Sequence, residues 1–192
     1  MTCCPSCTPF HTIGAGPALK PAVAISKTGR IGVMATRSTL SSARFQTLLA
    51  AHVGAAEFVL QPCEGLADAI QRGASIEHAT KIIAACARHT GAMVLFGTQP
   101  GHIDTLVPGC THYPFVGEHL QALVGADVML AETGAAVARQ TLQLMCSVAG
   151  GFDQGMTYPS RVRLLATGNA YTLKVAAAHW LALRQPVEML QI

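Results

Sequence analysis

Two short apolar runs with a helical pattern between them constrain the fold of this chain most. Residues 31–35 and 58–60 have the length and composition of buried strands. Between them, apolar side chains recur at helical spacing from Phe45 to Val53, and Gly54 ends that pattern. A strand, a helix and a second strand in this order predict a parallel sheet covered by helices. We therefore expect an α/β fold with a doubly wound parallel sheet flanked by helices.

The rest of the chain continues this alternation of apolar runs and helical patterns. Further strands are predicted at residues 103–107, 127–130 and 162–165. Further helices are predicted at residues 66–71, from 75 to 86 or beyond, from 114 to 124, at 135–145 and at 170–183. The predicted buried positions in two of these helices are Ile76, Ala79, Ile83 and Cys86, and Leu120, Leu123 and Val124. Residues 1–20 and 150–158 predict loops, and residues 93–96 fit either a strand or a helix end.

Composition excludes several classes of protein. Apolar residues make up 51 % of the chain and charged residues 12 %, so a disordered chain is excluded. The net charge is +3 without a basic cluster, which argues against a nucleic-acid partner. Mean hydropathy is +0.38, yet no run approaches the roughly 18 apolar residues of a membrane helix, so no membrane partner is expected. The apolar excess suggests a large interface with another domain or a second copy, as in a homodimer.

The seven cysteines do not form the pattern of a disulfide framework. Their number is odd and their spacing is irregular. The N-terminal residues lack the apolar core of a signal peptide, so we expect a reducing, cytoplasmic compartment. Cys4 and Cys7 have the spacing of a metal or redox pair, but only His11 lies nearby. We therefore expect no metal site.

A thiol and an imidazole stand two residues apart at the end of the predicted strand 103–107. Gly109 and Cys110 follow this strand, and His112 comes next but one. The carboxyl end of a strand is where open α/β sheets bind ligands, and a nearby imidazole favours the reactive thiolate. Thr111 supplies a hydroxyl for a small polar ligand. The alternative is a buried structural cysteine beside a capping histidine.

Residues 36–42 are rich in hydroxyl groups and follow the predicted strand 31–35. They suit helix N-caps. They also suit an anion site, because hydroxyls and free backbone amides at a helix N-terminus favour a carboxylate or phosphate. A thiol at one strand end and anion-binding groups at another would together suit a small carboxylic acid.

Four segments resemble motifs of the glutamate racemases, in the aspartate/glutamate racemase superfamily. Residues 106–115 (LVPGCTHYPF) are similar to the family's L-G-C-T-H-Y-P signature. Residues 31–39 (IGVMATRST) resemble its I-G-V-x-A-T-x-G-T motif, and residues 133–140 (TGAAVARQ) resemble its [ST]-G-A-A-V-A-R-Q motif. Residues 17–22 (PALKPA) resemble the P-A-x-K-P-A that precedes the family's second domain. The resemblance covers about residues 12–192.

This resemblance implies a cofactor-independent isomerase that interconverts L- and D-glutamate and supplies D-glutamate for peptidoglycan. In the family, two cysteines from two similar α/β domains flank the α-carbon and exchange its proton. By resemblance, Cys110 is one catalytic base and His112 assists it. Thr111, Thr36 and Thr39 would hold the substrate, glutamate.

The sequence departs from the family at its start. The family's first domain carries an Asp-Ser and a second cysteine in a C-N-T motif, and neither is present. We therefore expect residues 1–29 to be an irregular remnant of that domain, 30–130 to be the second α/β domain, and 131–192 to be the segment that returns to complete the first. Activity is expected to be impaired. Two alternatives stay open: Cys3, Cys4, Cys7 or a partner chain supplies the second base, or the chain is an inactive remnant or carboxylate-binding module.

Overall fold

The structure, a computed structural model, describes residues 16–73, 76–93, 95–148 and 162–191. These residues belong to two units. The larger unit contains residues 17–132 and 162–191, and it holds every strand described below. The second unit contains the helix at Gly134–Val148. The predicted loops at 1–15 and 150–158 lie outside the described residues.

The larger unit is built on a four-stranded parallel sheet. Its strands are β1 (Arg30–Ala35), β2 (Glu57–Pro62), β3 (Thr105–Pro108) and β4 (Met129–Leu130). Their order in the sheet is β2-β1-β3-β4. The chain thus leaves β1 toward β2 on one side and returns to β3 on the other, which makes the gap between β1 and β3 the topological switch point. The predicted strands at 31–35 and 58–60 are confirmed, and those at 103–107 and 127–130 overlap β3 and β4.

Within the larger unit, helices connect the strands and flank the sheet. The described helices are α1 (Leu19–Ile25), α2 (Arg37–Ser41), α3 (Ala43–Ala50), α4 (Leu66–Arg72), α5 (Ile76–Gly91), a 3₁₀ helix (Tyr113–Val116), α6 (Gly117–Val124), α7 (Gly134–Val148) and α8 (Ala170–Leu181). Two short strands, β5 (Leu164–Ala166) and β6 (Val187–Met189), pair in parallel as a separate sheet. The sequence pattern did not predict β6.

Both faces of the sheet are covered by apolar side chains. On one face, Ile31 and Val33 of β1 pack with Leu19 of α1 and Phe45 of α3. On the other face, Met34 and Leu106 join a larger core, here called the inner core, whose other members include Leu66, Ile70, Ile82, Cys86, Tyr113 and Leu120. Each fully buried aliphatic side chain contributes about 1.5–3 kcal/mol. Burial on both faces is what a parallel sheet requires, and the doubly wound prediction is confirmed.

Three predictions about helices are wrong in detail. The segment predicted to be a loop or irregular up to residue 29 contains α1, because Leu19 and Ala22 are fully buried beside β3 and tertiary packing outweighs a short, uncapped sequence. In α5, Ile82 is 2 % exposed, whereas Ile83 is 44 % exposed. Ala79, also predicted to be buried, is exposed as well. Adjacent isoleucines fit two helical stripes equally well, and packing selects the stripe of Ile82 and Cys86. Leu123 of α6 is likewise exposed, whereas Leu120 and Val124 are buried.

Residues 162–191 are part of the same unit as the four-stranded sheet. The predicted helix at 170–183 is confirmed as α8, and Asn169 caps it by accepting a hydrogen bond from the Thr172 amide at 3.1 Å. Trp180 of α8 reaches α4, where its indole N–H donates to the Ile70 carbonyl at 2.9 Å. The assignment of residues 131–192 to another domain stays a prediction.

A buried carboxylate holds the amino-terminal side of the sheet. Asp104, 4 % exposed, directly precedes β3. It accepts hydrogen bonds from the Ser26 hydroxyl at 2.6 Å, the Lys27 and Thr28 amides at 2.6 and 2.8 Å, and the Thr105 hydroxyl at 3.0 Å. Burial by itself raises the pKa of Asp104, but these donors outweigh it, and the net pKa lies below the ordinary value. The carboxylate thus ties the loop before β1 to the start of β3.

Replacing Asp104 with Asn should lower the free energy of unfolding by about 1–3 kcal/mol at pH 7, because an amide nitrogen cannot accept and leaves buried donors unpaired. The pKa of Asp104 is lower in the folded than in the unfolded state. Its stabilisation is therefore complete above about pH 5 and is lost as the pH falls through the folded value. Urea unfolding at pH 7 and at acid pH measures both effects.

Asp68→Asn is the matched control for this prediction. Asp68 is exposed and pairs with Arg72 one turn along α4, so its loss should cost no more than about 0.5 kcal/mol. Equal losses for the two variants at pH 7, or a loss for Asp104→Asn that persists in acid, would contradict the anchoring role of Asp104.

Candidate active site

The strand register brings the two predicted site segments to one level. Met34 of β1 is paired with Pro108 of β3, and Thr36 and Cys110 each lie two residues further along. Neighbouring strands are about 4.8 Å apart. The two segments therefore flank the switch point at the carboxyl edge of the sheet, which is where open α/β sheets bind their ligands.

Gly109 allows β1 and β3 to stay close at this point. Its amide donates to the Met34 carbonyl at 2.7 Å. A Cβ atom on Gly109 would lie 3.0 Å from that same oxygen, 3.2 Å from the Ala35 Cβ and 3.3 Å from the Pro17 ring. Two of these three neighbours, the Met34 oxygen and the Ala35 Cβ, belong to β1. A larger residue at position 109 would therefore push Cys110 away from the end of β1.

Pro108 is tolerated inside β3 because β4 is shorter than β3. The Leu106 carbonyl accepts from the Ala131 amide at 2.8 Å, so even-numbered residues of β3 direct their backbone groups toward β4. The pairing of β3 with β4 ends at Leu106 and Leu130. Proline has no backbone N–H group, and at position 108 that group would have pointed beyond the end of β4. Pro108 therefore removes no hydrogen bond between β3 and β4.

Cys110 and His112, which the sequence predicts to be a reactive pair, lie side by side after the end of β3. The Cys110 Sγ lies 3.7 Å from the His112 Nδ1, within hydrogen-bonding distance for sulfur, and both residues are half-buried. The turn is closed by the Tyr113 amide, which donates to the Cys110 carbonyl at 3.1 Å, and by the Phe115 amide, which donates to the His112 carbonyl at 3.2 Å. The arrangement suits a thiol that exchanges protons with an imidazole.

Tyr113 fixes the far side of this turn. Its side chain is fully buried in the inner core, and its hydroxyl donates to the Cys63 carbonyl at 3.4 Å. Burial raises the pKa of Tyr113 well above its usual range, so the phenol keeps its proton. Cys63 directly follows β2, and its amide bonds the Ala35 carbonyl at 2.8 Å. The ends of β1, β2 and β3 are thus connected beneath the site.

The hydroxyl groups of Thr36 and Thr39 lie together at the start of α2. The Thr36 Oγ1 accepts from the Thr39 amide at 3.2 Å and lies 2.9 Å from the Thr39 Oγ1 and 3.0 Å from the Ser38 Oγ. The predicted capping role of this segment is confirmed. Thr111 is exposed beside Cys110. Substrate contacts by Thr36, Thr39 and Thr111 stay predictions.

Two other cysteine thiols are buried and poorly suited to proton transfer. Burial raises the pKa of Cys63 to about 12 and that of Cys86 to about 11. Of the thiols whose surroundings are described, only Cys110 is half-exposed. Cys3, Cys4 and Cys7 lie outside the described residues, so the weak metal or redox pair at Cys4 and Cys7 does too.

An ion pair and a histidine beside the site were not predicted from the sequence. Arg37, the first residue of α2, forms an ion pair with Glu64, which follows the end of β2. The His89 Nε2 lies 3.3 Å from the Glu64 carbonyl. Burial lowers the pKa of His89, so its ring is neutral near pH 7. These residues are 25 and 27 positions apart, and no sequence periodicity connects them.

A groove with a volume of about 690 Å³ runs along α6 beside the end of β4. Its lining includes Pro114, Gln121 and the carboxylates of Glu118 and Glu132. Within the described part of the chain, no three His, Cys, Asp or Glu side chains are grouped to hold a metal ion. No described helix is both long enough and apolar enough to cross a bilayer.

Comparison with known proteins identifies the relatives of this chain. No family model matches it. It is 37 % identical over 177 residues to the glutamate racemase of Herpetosiphon aurantiacus, covering 92 % of this chain and 63 % of that protein. It is 42 % identical over 133 residues to the glutamate racemase of Pseudomonas paraeruginosa, covering 69 % of this chain and 48 % of that protein. The chain is a homologue of the glutamate racemases.

Solved glutamate racemases share the fold of this homologue. Isoform RacE1 from Bacillus anthracis superposes with a TM-score of 0.70 at 20 % identity, covering 91 % of this chain and 62 % of that one. The Escherichia coli enzyme, in complex with L-glutamate and the activator UDP-MurNAc-Ala, superposes with a TM-score of 0.66 at 22 % identity, covering 93 % and 64 %. Between 48 % and 63 % of the length of the two curated relatives is represented in this chain.

Cys110 should be alkylated before Cys63 and Cys86 when the folded homologue is treated with iodoacetamide. The buried thiols have raised pKa values and little access to the reagent. Site-resolved mass spectrometry during the reaction measures the order. In denaturant the three rates should converge, and modification of Cys63 ahead of Cys110 in the native protein would contradict the site.

Proposed function

We propose that the chain performs glutamate racemase chemistry with Cys110 as the proton-transfer group on one face of the α-carbon. The observation that carries the proposal is the Cys110–His112 pair at the switch point, with a sulfur–nitrogen distance of 3.7 Å. The homology to glutamate racemases supports the choice of substrate. Where a second proton carrier completes the inversion, the product D-glutamate would serve the synthesis of peptidoglycan in the cytoplasm.

The proposed step moves one proton and no other atom. The Cys110 thiolate removes the α-hydrogen of glutamate, so the C–H bond breaks and an S–H bond forms. The electron pair left on the carbon delocalises into the adjacent carboxyl group. His112 takes the thiol proton before the step and returns it afterwards. Return of a proton by Cys110 restores the same enantiomer, and delivery by a second group on the opposite face inverts it.

Substrate binding is assigned to the hydroxyl groups at the same sheet edge. Thr36 and Thr39 lie on the β1 side of the switch point, and Thr111 lies beside Cys110. Hydroxyls at the same edge of the sheet as the Cys110 thiol suit the carboxylate and ammonium groups of an amino acid. The Escherichia coli relative has been seen with L-glutamate, and a small carboxylic acid of this kind matches the chemistry of the edge.

Inversion requires a second proton carrier on the face of the α-carbon opposite Cys110. Cys63 and Cys86 are unsuited because burial raises their pKa values to about 12 and about 11. No cysteine in the sequence stands before an Asn-Thr pair. We propose that Cys110 alone exchanges the α-hydrogen without net inversion, unless Cys3, Cys4, Cys7 or a partner chain supplies the second group.

The test is α-hydrogen exchange of D- and L-glutamate in deuterated water, followed by NMR, with inversion followed by optical rotation. The expected result is exchange of one enantiomer without inversion. Cys110→Ala should reduce the exchange rate by at least about 10²-fold, the lower end of what a positioned proton-transfer group contributes.

Cys86→Ala is the matched control, because it removes a thiol of α5 that is fully buried in the inner core and has no access to a substrate. Its exchange rate should stay that of the unaltered chain. Exchange that survives Cys110→Ala would refute the assignment. Saturable glutamate binding without any exchange would identify a carboxylate-binding module instead.

Simultaneous replacement of Cys3, Cys4 and Cys7 with Ser distinguishes the sources of the second group. If the unaltered chain inverts glutamate, the triple variant should keep one-sided exchange and lose inversion, because only one thiol remains at the α-carbon. The circular dichroism spectrum checks that the fold is retained. Inversion that persists in the triple variant excludes these three cysteines and points to a partner chain.

A further inference from the structure

Trp180, the only tryptophan of the chain, connects α8 to the turn that carries the reactive pair. Its indole N–H donates to the Ile70 carbonyl at 2.9 Å, near the end of α4. Its ring lies 5.2 Å from the ring of Phe115, which belongs to the 3₁₀ helix directly after His112. Trp180 therefore contacts two elements that follow the ends of two different strands.

The contact with Phe115 is transmitted to His112 by the backbone. The Phe115 amide donates to the His112 carbonyl, and the Tyr113 amide donates to the Cys110 carbonyl. Cys110 and Trp180 also pack against the same inner core, whose members include Ile70 and Tyr113. A shift of the 3₁₀ helix would thus move the His112 ring relative to the Cys110 sulfur.

We propose that Trp180 is a positioning residue for the Cys110–His112 pair and acts on catalysis by holding His112 in place. The proposal rests on the function proposed above for Cys110. The indole presses the 3₁₀ helix against α4 and keeps the His112 Nδ1 within reach of the Cys110 Sγ. The interacting residues lie 65 to 110 positions apart in the chain, so the fold alone brings them together.

The rest of α8 offers a natural comparison. Tyr171, at the other end of the helix, is 73 % exposed, and Leu181 is 55 % exposed. Trp180 is half-buried and holds both a hydrogen bond and a ring contact. Replacing Tyr171 with Ala therefore also removes an aromatic side chain from α8, but leaves the contacts of the Cys110–His112 turn in place.

The first experiment measures the rate of Cys110 alkylation by iodoacetamide in the full chain, with no glutamate present. Trp180→Ala should slow it about tenfold, because loss of a positioned proton acceptor costs on the order of 10²-fold and Trp180 acts through that acceptor. Trp180→Phe, which keeps the ring contact, should be slowed less. Tyr171→Ala should react at the rate of the unaltered chain.

A double-mutant cycle separates positioning from loss of stability. In the His112→Ala background, Trp180→Ala should have no further effect on the Cys110 rate, because the group that it positions is gone. An equal slowing with and without His112 overturns the proposal. Should Trp180→Ala fail to fold, Trp180→Phe completes the same cycle.

The second experiment examines the same contacts from the side of Trp180. Alkylation of Cys110 should change the fluorescence of Trp180, and the same treatment of Cys110→Ala should leave it unchanged. An emission spectrum indifferent to Cys110 modification overturns the proposal. A chain that passes both experiments but shows no α-hydrogen exchange refutes the proposed racemase chemistry and leaves the positioning role in place.

Discussion

The position of β1 between β2 and β3 is the constraint on which the rest of the structure depends. β1 is hydrogen-bonded along both edges and covered on both faces, so a shift of its backbone would break hydrogen bonds and packing on every side. Gly32 shows how tight this packing is, because a Cβ there would lie 2.7 Å from the Met93 methyl group. The end of β1 is therefore fixed, and the segments that hold Thr36 and Gly109 are fixed with it.

The two ends of the sheet serve different purposes. At the amino end, the Asp104 carboxylate accepts four hydrogen bonds, and these buried contacts join the loop before β1 to the start of β3. At the carboxyl end, the polar groups of Thr36, Cys110 and His112 remain partly open to solvent. A buried charge with all its partners stabilises a fold, whereas groups that must meet a substrate cannot be satisfied by the protein alone.

The sequence predicts the strands near the site because their signals are local. Residues 31–35 and 58–60 are short apolar runs with clear ends, and Cys110 follows the end of β3 where the motif predicts it. α1 and the buried stripe of α5 depend on which surfaces meet in three dimensions, so a periodicity that fits both Ile82 and Ile83 cannot choose between them. The Arg37–Glu64 ion pair and the Trp180 contacts join residues distant in the chain, and no local pattern encodes them.

The different exposure of the thiols also determines which cysteine is oxidised first. Peroxide oxidises the cysteine that is accessible as a thiolate, first to a sulfenic acid and then irreversibly to a sulfinic acid. Cys63 and Cys86 are protected within the inner core, whereas Cys110 is half-exposed at the sheet edge. Oxidative damage would thus reach Cys110, the proposed proton-transfer group, before it reaches the core. A preparation kept without reductant would lose the free Cys110 thiol, and the proposed chemistry with it, while retaining its fold, and a melting curve would not reveal the loss.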